Sequence, residues 1–242
     1  MAKRIFLTGA SGAIDRRLAP LLVANGWQVF GSTRSKDKED TLRTLGVDPI
    51  LVDVFDAPPL TRLLSELRPE IVIHQLTDLP FALDAGKMTE ALVRNARLRD
   101  EGTRNLVAAA VGAGAKRLIV QSISFIYADG PLPHREDDPL LPETHPVYGG
   151  TVTGVMSLER QALAAPLEGI VLRYGLFYGP GTGFDAPIAP GSVHVDAAAK
   201  ATELALTKAL PGTYNVAESD GAVSSEKARR ILGWDAGWRA VR

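Results

Sequence analysis

The sequence lacks cysteine altogether: none of its 242 residues carries a thiol. Disulfide bonds, thiolate-bound zinc, iron–sulfur clusters and thiol catalysis are therefore excluded. The sequence also lacks an excess of either charge, because 27 basic and 28 acidic side chains leave a formal net charge of −1. A basic excess is typical of proteins that bind nucleic acid or anionic membranes, so we expect neither partner. The absence of cysteine fits a reducing compartment, and we expect a cytoplasmic protein.

Long apolar runs are also scarce. The most apolar stretch, residues 105–120, is interrupted by glycines and basic side chains and is too short to span a bilayer. Near the N-terminus, the apolar run Ile5–Leu7 stops at a glycine-rich turn, so no signal-peptide core is predicted. The four histidines have no metal-ligand spacing, and no metal site is predicted. With 45% hydrophobic residues, the chain suits one large domain, or a domain with a small lobe.

Short apolar runs alternate with segments whose apolar residues recur at helical spacing. The runs predict strands at Arg4–Leu7, Trp27–Gly31, Pro49–Val54, Glu70–Gln75, Arg117–Ser122, Ile170–Tyr174 and Thr213–Val216. Helices are predicted at Ala13–Asn25, Asp37–Leu45, Leu60–Leu67, Lys87–Gly112 (long or broken), Thr151–Ala164, Asp196–Leu210 and Ser224–Leu232. This alternation predicts an α/β fold, a doubly wound parallel sheet with helices on both faces.

The first feature with chemistry is the turn TGASGAID, residues 8–15, between the first strand and the first helix. In that setting, glycines let the backbone approach a pyrophosphate, which then lies at the N-terminus of the helix. The flanking strand and helix supply the context that makes such a glycine pattern specific. The alternative interpretation is a tight strand-to-helix turn without a ligand.

Further motifs follow in order, and with this turn they carry a family resemblance. They are Val52-Asp53-Val54, Gly102-Thr103-Arg104-Asn105-Leu106, Arg117–Ser122 leading into Tyr127, the segment LRYGLFYGPG at 172–181, His194-Val195-Asp196, Tyr214-Asn215-Val216 and Ala228–Trp234. The chain resembles the extended short-chain dehydrogenase/reductase superfamily, specifically its NAD-dependent epimerases and dehydratases. The resemblance implies a Rossmann dinucleotide-binding domain at residues 1–180, and a reduced substrate lobe at residues 181–242 packed on the same domain. Because that lobe is short, a large nucleotide-sugar substrate is less expected.

The resemblance also implies a set of cofactor-binding positions. They are Gly9, Ser11, Gly12, Ala13, Ile14, Ser32, Arg34, Asp53, Val54, Leu76, Thr77 and Tyr174. An NAD-preferring site places an acid after the second strand, to bind the ribose 2′-hydroxyl. This chain has Arg34 there, which with Ser32 could bind a 2′-phosphate. We therefore expect NADP, with NAD as the alternative.

One departure touches this site, because Asp15 stands where the family has its third glycine. That glycine allows close packing of helix on strand. An acid in the first turn complements the helix dipole, but it would compete with a bound phosphate. Binding is expected to survive if Asp15 points outward, and to weaken if it points into the turn.

The catalytic pattern of the family is incomplete here. By resemblance, catalysis uses a Tyr-x-x-x-Lys pair and a nearby hydroxyl, and the lysine lowers the tyrosine pKa from about 10. Tyr148 is followed by Val152 at the lysine position, and a register anchored on Glu159 gives Thr151 and Val155 instead. For the hydroxyl, Ser122 is our first choice and Ser124 our second.

Two functions follow from these residues. The first is an NADP-dependent oxidoreductase or epimerase-like enzyme for a small carbonyl, alcohol or sugar-derived substrate, with Tyr148 and Ser122 holding the substrate oxygen. The second is a non-catalytic dinucleotide-binding sensor or scaffold, favoured by the missing lysine. By resemblance, a homodimer would form through the helices at Arg99–Ala113 and Thr151–Ala164.

Overall fold

A parallel seven-stranded sheet forms the centre of the computed structural model, which describes residues 3–240. The strand order is β3-β2-β1-β4-β5-β6-β9. The strands are β1 (Arg4–Thr8), β2 (Gln28–Thr33), β3 (Asp48–Leu51), β4 (Ile71–His74), β5 (Arg117–Ile123), β6 (Glu168–Tyr174), β7 (Phe177–Tyr178), β8 (Val193–His194) and β9 (Gly212–Val216). The short strands β7 and β8 pair only with each other.

Helices cover both faces of this sheet. They are α1 (Asp15–Ala24), α2 (Glu39–Thr44), α3 (Ala57–Leu67), α4 (Ala85–Arg97), α5 (Thr103–Gly112), α6 (Gly149–Ala164), α7 (Val195–Lys208) and α8 (Glu226–Leu232). One apolar core lies between the sheet and α1, α2, α7 and α8, and the other lies between the sheet and α3, α5 and α6. Strand β1 alternates between the two cores, with Ile5 and Leu7 in the first and Phe6 in the second. The predicted doubly wound parallel sheet is confirmed.

The order of the predicted strands and helices is reproduced, with shifted ends. Strand β3 stops at Leu51 rather than Val54, because its pairing with β2 ends at Thr33, where β2 itself ends. Helix α1 begins at Asp15, two residues later than predicted, since residues 9–14 form the glycine turn. The predicted helix Lys87–Gly112 is broken by a π-helical turn at Leu98–Gly102.

The C-terminal quarter of the chain adds to the main layers. Strand β9 joins the sheet beside β6, and α7 packs against α1. What remains of a separate lobe is the β7–β8 pair with the segments at 179–192 and 217–225. Strands β7 and β8 could not be predicted from the sequence, because two residues are too few to show a strand period.

A buried ion pair joins the second core to the long segment that follows β5. Glu159 on α6 accepts two hydrogen bonds from Arg173 on β6, from Nε at 2.9 Å and from Nη2 at 2.7 Å. The Ser122 hydroxyl of β5 donates to the same carboxylate at 2.6 Å. Arg173 also donates to the Tyr127 hydroxyl at 2.9 Å, and that hydroxyl donates to Asn215 at 2.6 Å. Three strands, one helix and the 124–148 segment therefore share one network.

This network predicts a large loss of stability when one partner is removed. Glu159→Gln leaves the Arg173 charge buried without its counter-charge, so the free energy of unfolding should fall by about 3–5 kcal/mol. Urea denaturation measures the change, and Glu159→Gln combined with Arg173→Met should recover part of it. The control is Arg43→Ala, which removes exposed pairs with Glu39 and Asp40 and should change little. Equal effects of Glu159→Gln and the control would contradict the prediction.

Candidate active site

A cleft of about 970 Å³ opens at the carboxyl edge of the sheet. Its walls are the turn at residues 9–13, the segments that follow β2, β3, β4 and β5, the first turn of α6, and residues 175–184. In a parallel α/β sheet, ligands bind at this edge, where neighbouring crossovers leave in opposite directions. The cleft is therefore the candidate active site.

The glycine turn closes tightly against the end of β4. Gly9 has φ +80°, and a Cβ there would lie 2.9 Å from the carbonyl oxygen of Gln75, so only glycine fits. The Gly12 N–H donates to the Gly9 carbonyl at 2.8 Å. Ser11, Gly12 and Ala13 line the cleft just before α1 begins. This cradle fits the pyrophosphate of a dinucleotide at a helix N-terminus.

Asp15 lies beneath this turn rather than in the cleft. Its side chain is only 1% exposed, and Oδ2 lies 3.1 Å from where a Gly12 Cβ would be. Its Oδ1 is buried and has no hydrogen-bond partner among residues 3–240. Burial raises the pKa of Asp15 well above its ordinary value, and a hydrogen bond to the backbone lowers it only in part. A carboxyl group is therefore buried at the start of α1, where the family has a glycine without a side chain.

Two predicted cofactor positions are corrected, because neither Ile14 nor Tyr174 lines the cleft. Ile14 is 4% exposed and packs in the first core. The Tyr174 ring is fully buried, and its hydroxyl lies 2.6 Å from the Thr202 hydroxyl. Gln75 donates to that same Thr202 hydroxyl at 3.2 Å. Tyr174 therefore belongs to a buried polar cluster behind the glycine turn.

The other predicted cofactor positions meet in the cleft. They are Gly9, Ser11, Gly12, Ala13, Ser32, Arg34, Asp53, Val54, Leu76 and Thr77. Arg34 lies beyond the end of β2 with more than half of its side chain exposed, and its guanidinium is 4.0 Å from Asp78. Ser35 and Lys38 also line this end, and no acid stands between residues 32 and 36. Asp53 accepts a hydrogen bond from the Phe55 N–H at 3.0 Å.

The catalytic end of the cleft has no lysine on α6. Tyr148 and Thr151 both line the cleft, and the Tyr148 ring, 42% exposed, tilts against His145 at 5.3 Å between centroids. Val152 and Val155 are fully buried in a small apolar cluster with Ile123 and Ile126. In either sequence register, the position of the family's lysine is thus part of the core.

The serine predictions are corrected by the phase of β5. Successive residues of a strand face opposite sides, and here Gln121, Ile123 and Phe125 line the cleft. Ser122 is fully buried on the other side, where it donates to Glu159. Ser124 lines a separate cavity of about 230 Å³, and its hydroxyl has no partner among residues 3–240. Neither hydroxyl reaches the cleft.

Sequence reasoning missed Arg99, which lies in the π-helical turn between α4 and α5 and lines the cleft. Its side chain is buried, and periodicity does not distinguish it from the exposed arginines around it. Nearby, the buried His74 accepts from the Leu76 N–H at Nδ1, so Nε2 carries the proton that Thr103 accepts at 3.0 Å. Burial, and then the Arg99 charge, lower the pKa of His74 to about 4, so His74 is neutral at pH 7.

A family model described as the NAD-dependent epimerase/dehydratase family matches residues 5–203. The chain therefore belongs to that family, and it is an enzyme of the oxidoreductase and epimerase class. The hypothesis of a non-catalytic sensor or scaffold is not favoured. Within residues 3–240, no helix has the length and apolar character needed to cross a membrane.

Curated relatives include reductases. A 3-diazoavenalumate denitrifying reductase from a Streptomyces species is 36% identical over 92% of this chain and 78% of that protein. A dTDP-4-dehydrorhamnose reductase from Streptomyces griseus is 30% identical over 74% of this chain, and the match spans 51% of that enzyme. The chain thus spans most of the first relative but only about half of the second.

Solved structures show the same fold at low identity. The UDP-glucose 4-epimerase of Thermotoga maritima with UDP-glucose has a TM-score of 0.78 at 22% identity, over 97% of this chain and 94% of that one. The Bordetella bronchiseptica enzyme WbmG with NAD has a TM-score of 0.75 at 18% identity, over 99% and 91%. These neighbours bind small molecules, and their own cofactor, where named, is NAD.

Asp15 generates a pH prediction. The pKa of an unfolded aspartate is about 4, and that of Asp15 in the folded protein is higher. As the pH rises from the first value through the second, ionisation favours the unfolded chain, so the free energy of unfolding falls. Asp15→Asn removes that titration, so the variant should gain stability over wild type as the pH rises through this window. Its affinity for NAD⁺ or NADP⁺ should also exceed that of wild type at the high-pH end, because no carboxylate then lies beneath the turn that fits a pyrophosphate.

Urea unfolding and calorimetric titration, each across pH, measure these two differences. Asp129→Asn is the control, because it removes the carboxyl group of an exposed aspartate. Parallel curves for Asp15→Asn and wild type would show that the carboxyl group does not titrate in this way.

Proposed function

We propose that this protein is an NADPH-dependent reductase that replaces the diazo group of a small aromatic substrate with hydrogen. The observation that carries the proposal is that buried valines, Val152 and Val155, occupy both positions at which the family's catalytic lysine could stand. The 36% identity to a denitrifying reductase that acts on a diazo compound supports the same substrate class.

The missing lysine matters because reducing a carbonyl creates an oxyanion that needs a proton. A tyrosine with a pKa of about 10 supplies that proton poorly unless a nearby cation lowers its pKa. An aryl diazonium carbon has no such requirement: it accepts a hydride, its C–N bond breaks, and dinitrogen leaves with the bonding electron pair. The balance is Ar–N₂⁺ plus NADPH giving Ar–H, N₂ and NADP⁺. A cleft without a proton relay is sufficient for this reaction.

The residues of the cleft divide this work. When bound, NADPH supplies the hydride. The turn at residues 9–13 and the segment after β2 hold the two ends of the dinucleotide. Apolar side chains line the part of the cleft between α4, β5 and the segment after β6, including Leu92, Ile123, Phe125 and Phe177. Such a surface accommodates an aromatic ring and limits the access of water to a reactive diazonium group.

The preference for NADPH rests on the segment after β2. Arg34, with Ser32, Ser35 and Lys38 beside it, offers a cation and hydroxyl donors to a 2′-phosphate. An acid that would hold a ribose 2′-hydroxyl and repel the phosphate is missing from residues 32–36.

We also propose a cytoplasmic homodimer. Val111 on α5 and Met156 and Leu163 on α6 are partly exposed apolar side chains on the helices suggested by the resemblance. Burying such a surface favours association. A solution mass of a single chain, measured by sedimentation, would reject the dimer.

The reaction is tested with 3-diazo-4-hydroxybenzoate and NADPH deuterated on one face of the nicotinamide C4. The expected products are dinitrogen and an arene with deuterium at the vacated carbon, formed from only one of the two C4-deuterated stereoisomers. Spontaneous reduction would use both faces, so the stereospecificity is an internal control. Mass spectrometry reads out the product.

Two results would overturn the proposed function. Turnover of a panel of ketones and aldehydes without loss of dinitrogen from diazo substrates would indicate a carbonyl reductase. NADPH binding without turnover of either substrate class would revive the non-catalytic interpretation.

Cofactor preference is tested with Arg34→Ser. NADPH affinity should fall about tenfold, since a solvent-exposed ionic hydrogen bond is lost, while NADH affinity should stay unchanged. Calorimetric titration of both cofactors measures this difference. Lys36→Ser is the matched control, because Lys36 is a nearby cation that does not line the cleft. A parallel loss of NADPH and NADH affinity would contradict the assigned role of Arg34.

A further inference from the structure

Arg99 is a buried cation on the wall of the cleft. Its side chain belongs to the π-helical turn at Leu98–Gly102 and is 5% exposed. Among residues 3–240, its guanidinium makes no hydrogen bond and no ion pair within 4.0 Å. The carboxylate whose charge affects the pKa of Arg99 is Glu159, which lies farther away. π-Helical turns in proteins often mark functional positions.

The surroundings do not neutralise this charge. Glu159 is already held by both nitrogens of the Arg173 fork and by Ser122. The adjacent His74 is neutral at pH 7. Burial lowers the pKa of Arg99 to about 10, against the opposing effect of Glu159, so the guanidinium stays charged at pH 7. A buried charge without a counter-charge costs several kcal/mol unless a ligand supplies one.

The carboxylates that line the cleft are already engaged at its cofactor end. Asp53 accepts from the Phe55 N–H, and Asp78 faces the guanidinium groups of Arg34 and Arg94 at 4.0 and 3.4 Å. Of the other side chains that line the cleft from α4 and the π-helical turn, Met88, Leu92 and Leu98 are apolar. The amide oxygen of Asn95 is already engaged, since it accepts from the Asp78 N–H at 2.9 Å. A ligand that satisfies Arg99 therefore combines an apolar body with a planar anion.

We propose that Arg99 binds the carboxylate of the substrate, and that the substrate is an aromatic carboxylate. This inference rests on the proposed function for the aromatic body of the substrate. The guanidinium fork matches a carboxylate with two parallel hydrogen bonds, which fixes both the position and the rotation of the ligand. Anchored at the α4–α5 turn, the aromatic ring lies along the apolar wall, with its reactive carbon toward the glycine-turn side of the cleft.

The test is a binding measurement that needs no turnover. Calorimetry compares 4-hydroxycinnamate with its methyl ester as probes, on protein saturated with NADP⁺. Wild type should bind the acid about ten- to hundredfold more tightly than the ester, because only the acid forms the ionic hydrogen bonds. Arg99→Gln should abolish this preference and leave the affinity for NADP⁺ within about twofold of wild type. Arg99→Lys should retain part of the preference, since it keeps the charge but loses the fork.

The matched control is Arg94→Gln, which removes a half-exposed arginine from α4 that does not line the cleft. It should leave the acid preference intact. Circular dichroism checks that each variant folds, and Arg99→Lys carries the test if Arg99→Gln does not.

Several outcomes would overturn the inference. They are equal binding of acid and ester by wild type, failure of wild type to bind either probe, persistence of the acid preference in Arg99→Gln, and a loss of NADP⁺ affinity that matches the loss for the acid. The last of these would assign Arg99 to the dinucleotide. If the acid preference depends on Arg99 but diazo substrates are not reduced, the carboxylate site stands and the proposed reaction fails.

Discussion

The buried pair between Glu159 and Arg173 is the constraint on which the rest of the site depends. It fastens α6 to β6, and through Ser122 and Tyr127 it fastens both to β5 and the segment beyond it. Burial alone lowers the pKa of Arg173, but hydrogen bonds and charge from Glu159 raise it above its ordinary value, so the guanidinium stays charged. Because the pair occupies Ser122 and saturates Glu159, both groups are structural. Glu159 is consequently not available to neutralise the charge of Arg99.

A second constraint lies under the glycine turn. Gly9 is required there by its positive φ and by the closeness of the Gln75 carbonyl, and the Asp15 carboxyl group lies buried under the same turn, next to Gly12. The carboxyl group is therefore held out of water, where its neutral form is favoured. The outward orientation considered from sequence was wrong, since the side chain is buried below the turn and next to Gly12. The peptide groups that face the cleft remain open to a pyrophosphate.

Features with a local pattern could be predicted from the sequence. Continuous apolar runs predicted the strands, and helical spacing predicted the helices. The glycines between the first strand and the first helix located the cofactor cradle. Features that depend on phase or burial could not be predicted. Ser122 and Ile123 exchange roles if β5 is rotated by one residue, and no pattern in so apolar a strand fixes that rotation. Arg99 resembles its exposed neighbours Arg97 and Arg104 in sequence, and only the packing of the π-helical turn against α6 distinguishes it.

The position of the positive charge links these constraints to the chemistry. In the family pattern, a lysine on the helix of the catalytic tyrosine lowers a pKa and so allows a proton to move. Here the core occupies that position with valine, and a cation enters the cleft from the α4–α5 turn instead. A guanidinium does not exchange protons near neutral pH, so Arg99 can orient an anion but cannot relay a proton. A site that fixes the orientation of its substrate, has an apolar wall and lacks a proton relay is suited to a substrate that needs only a hydride. The loss of dinitrogen makes the hydride transfer irreversible, and no acid from the protein is needed.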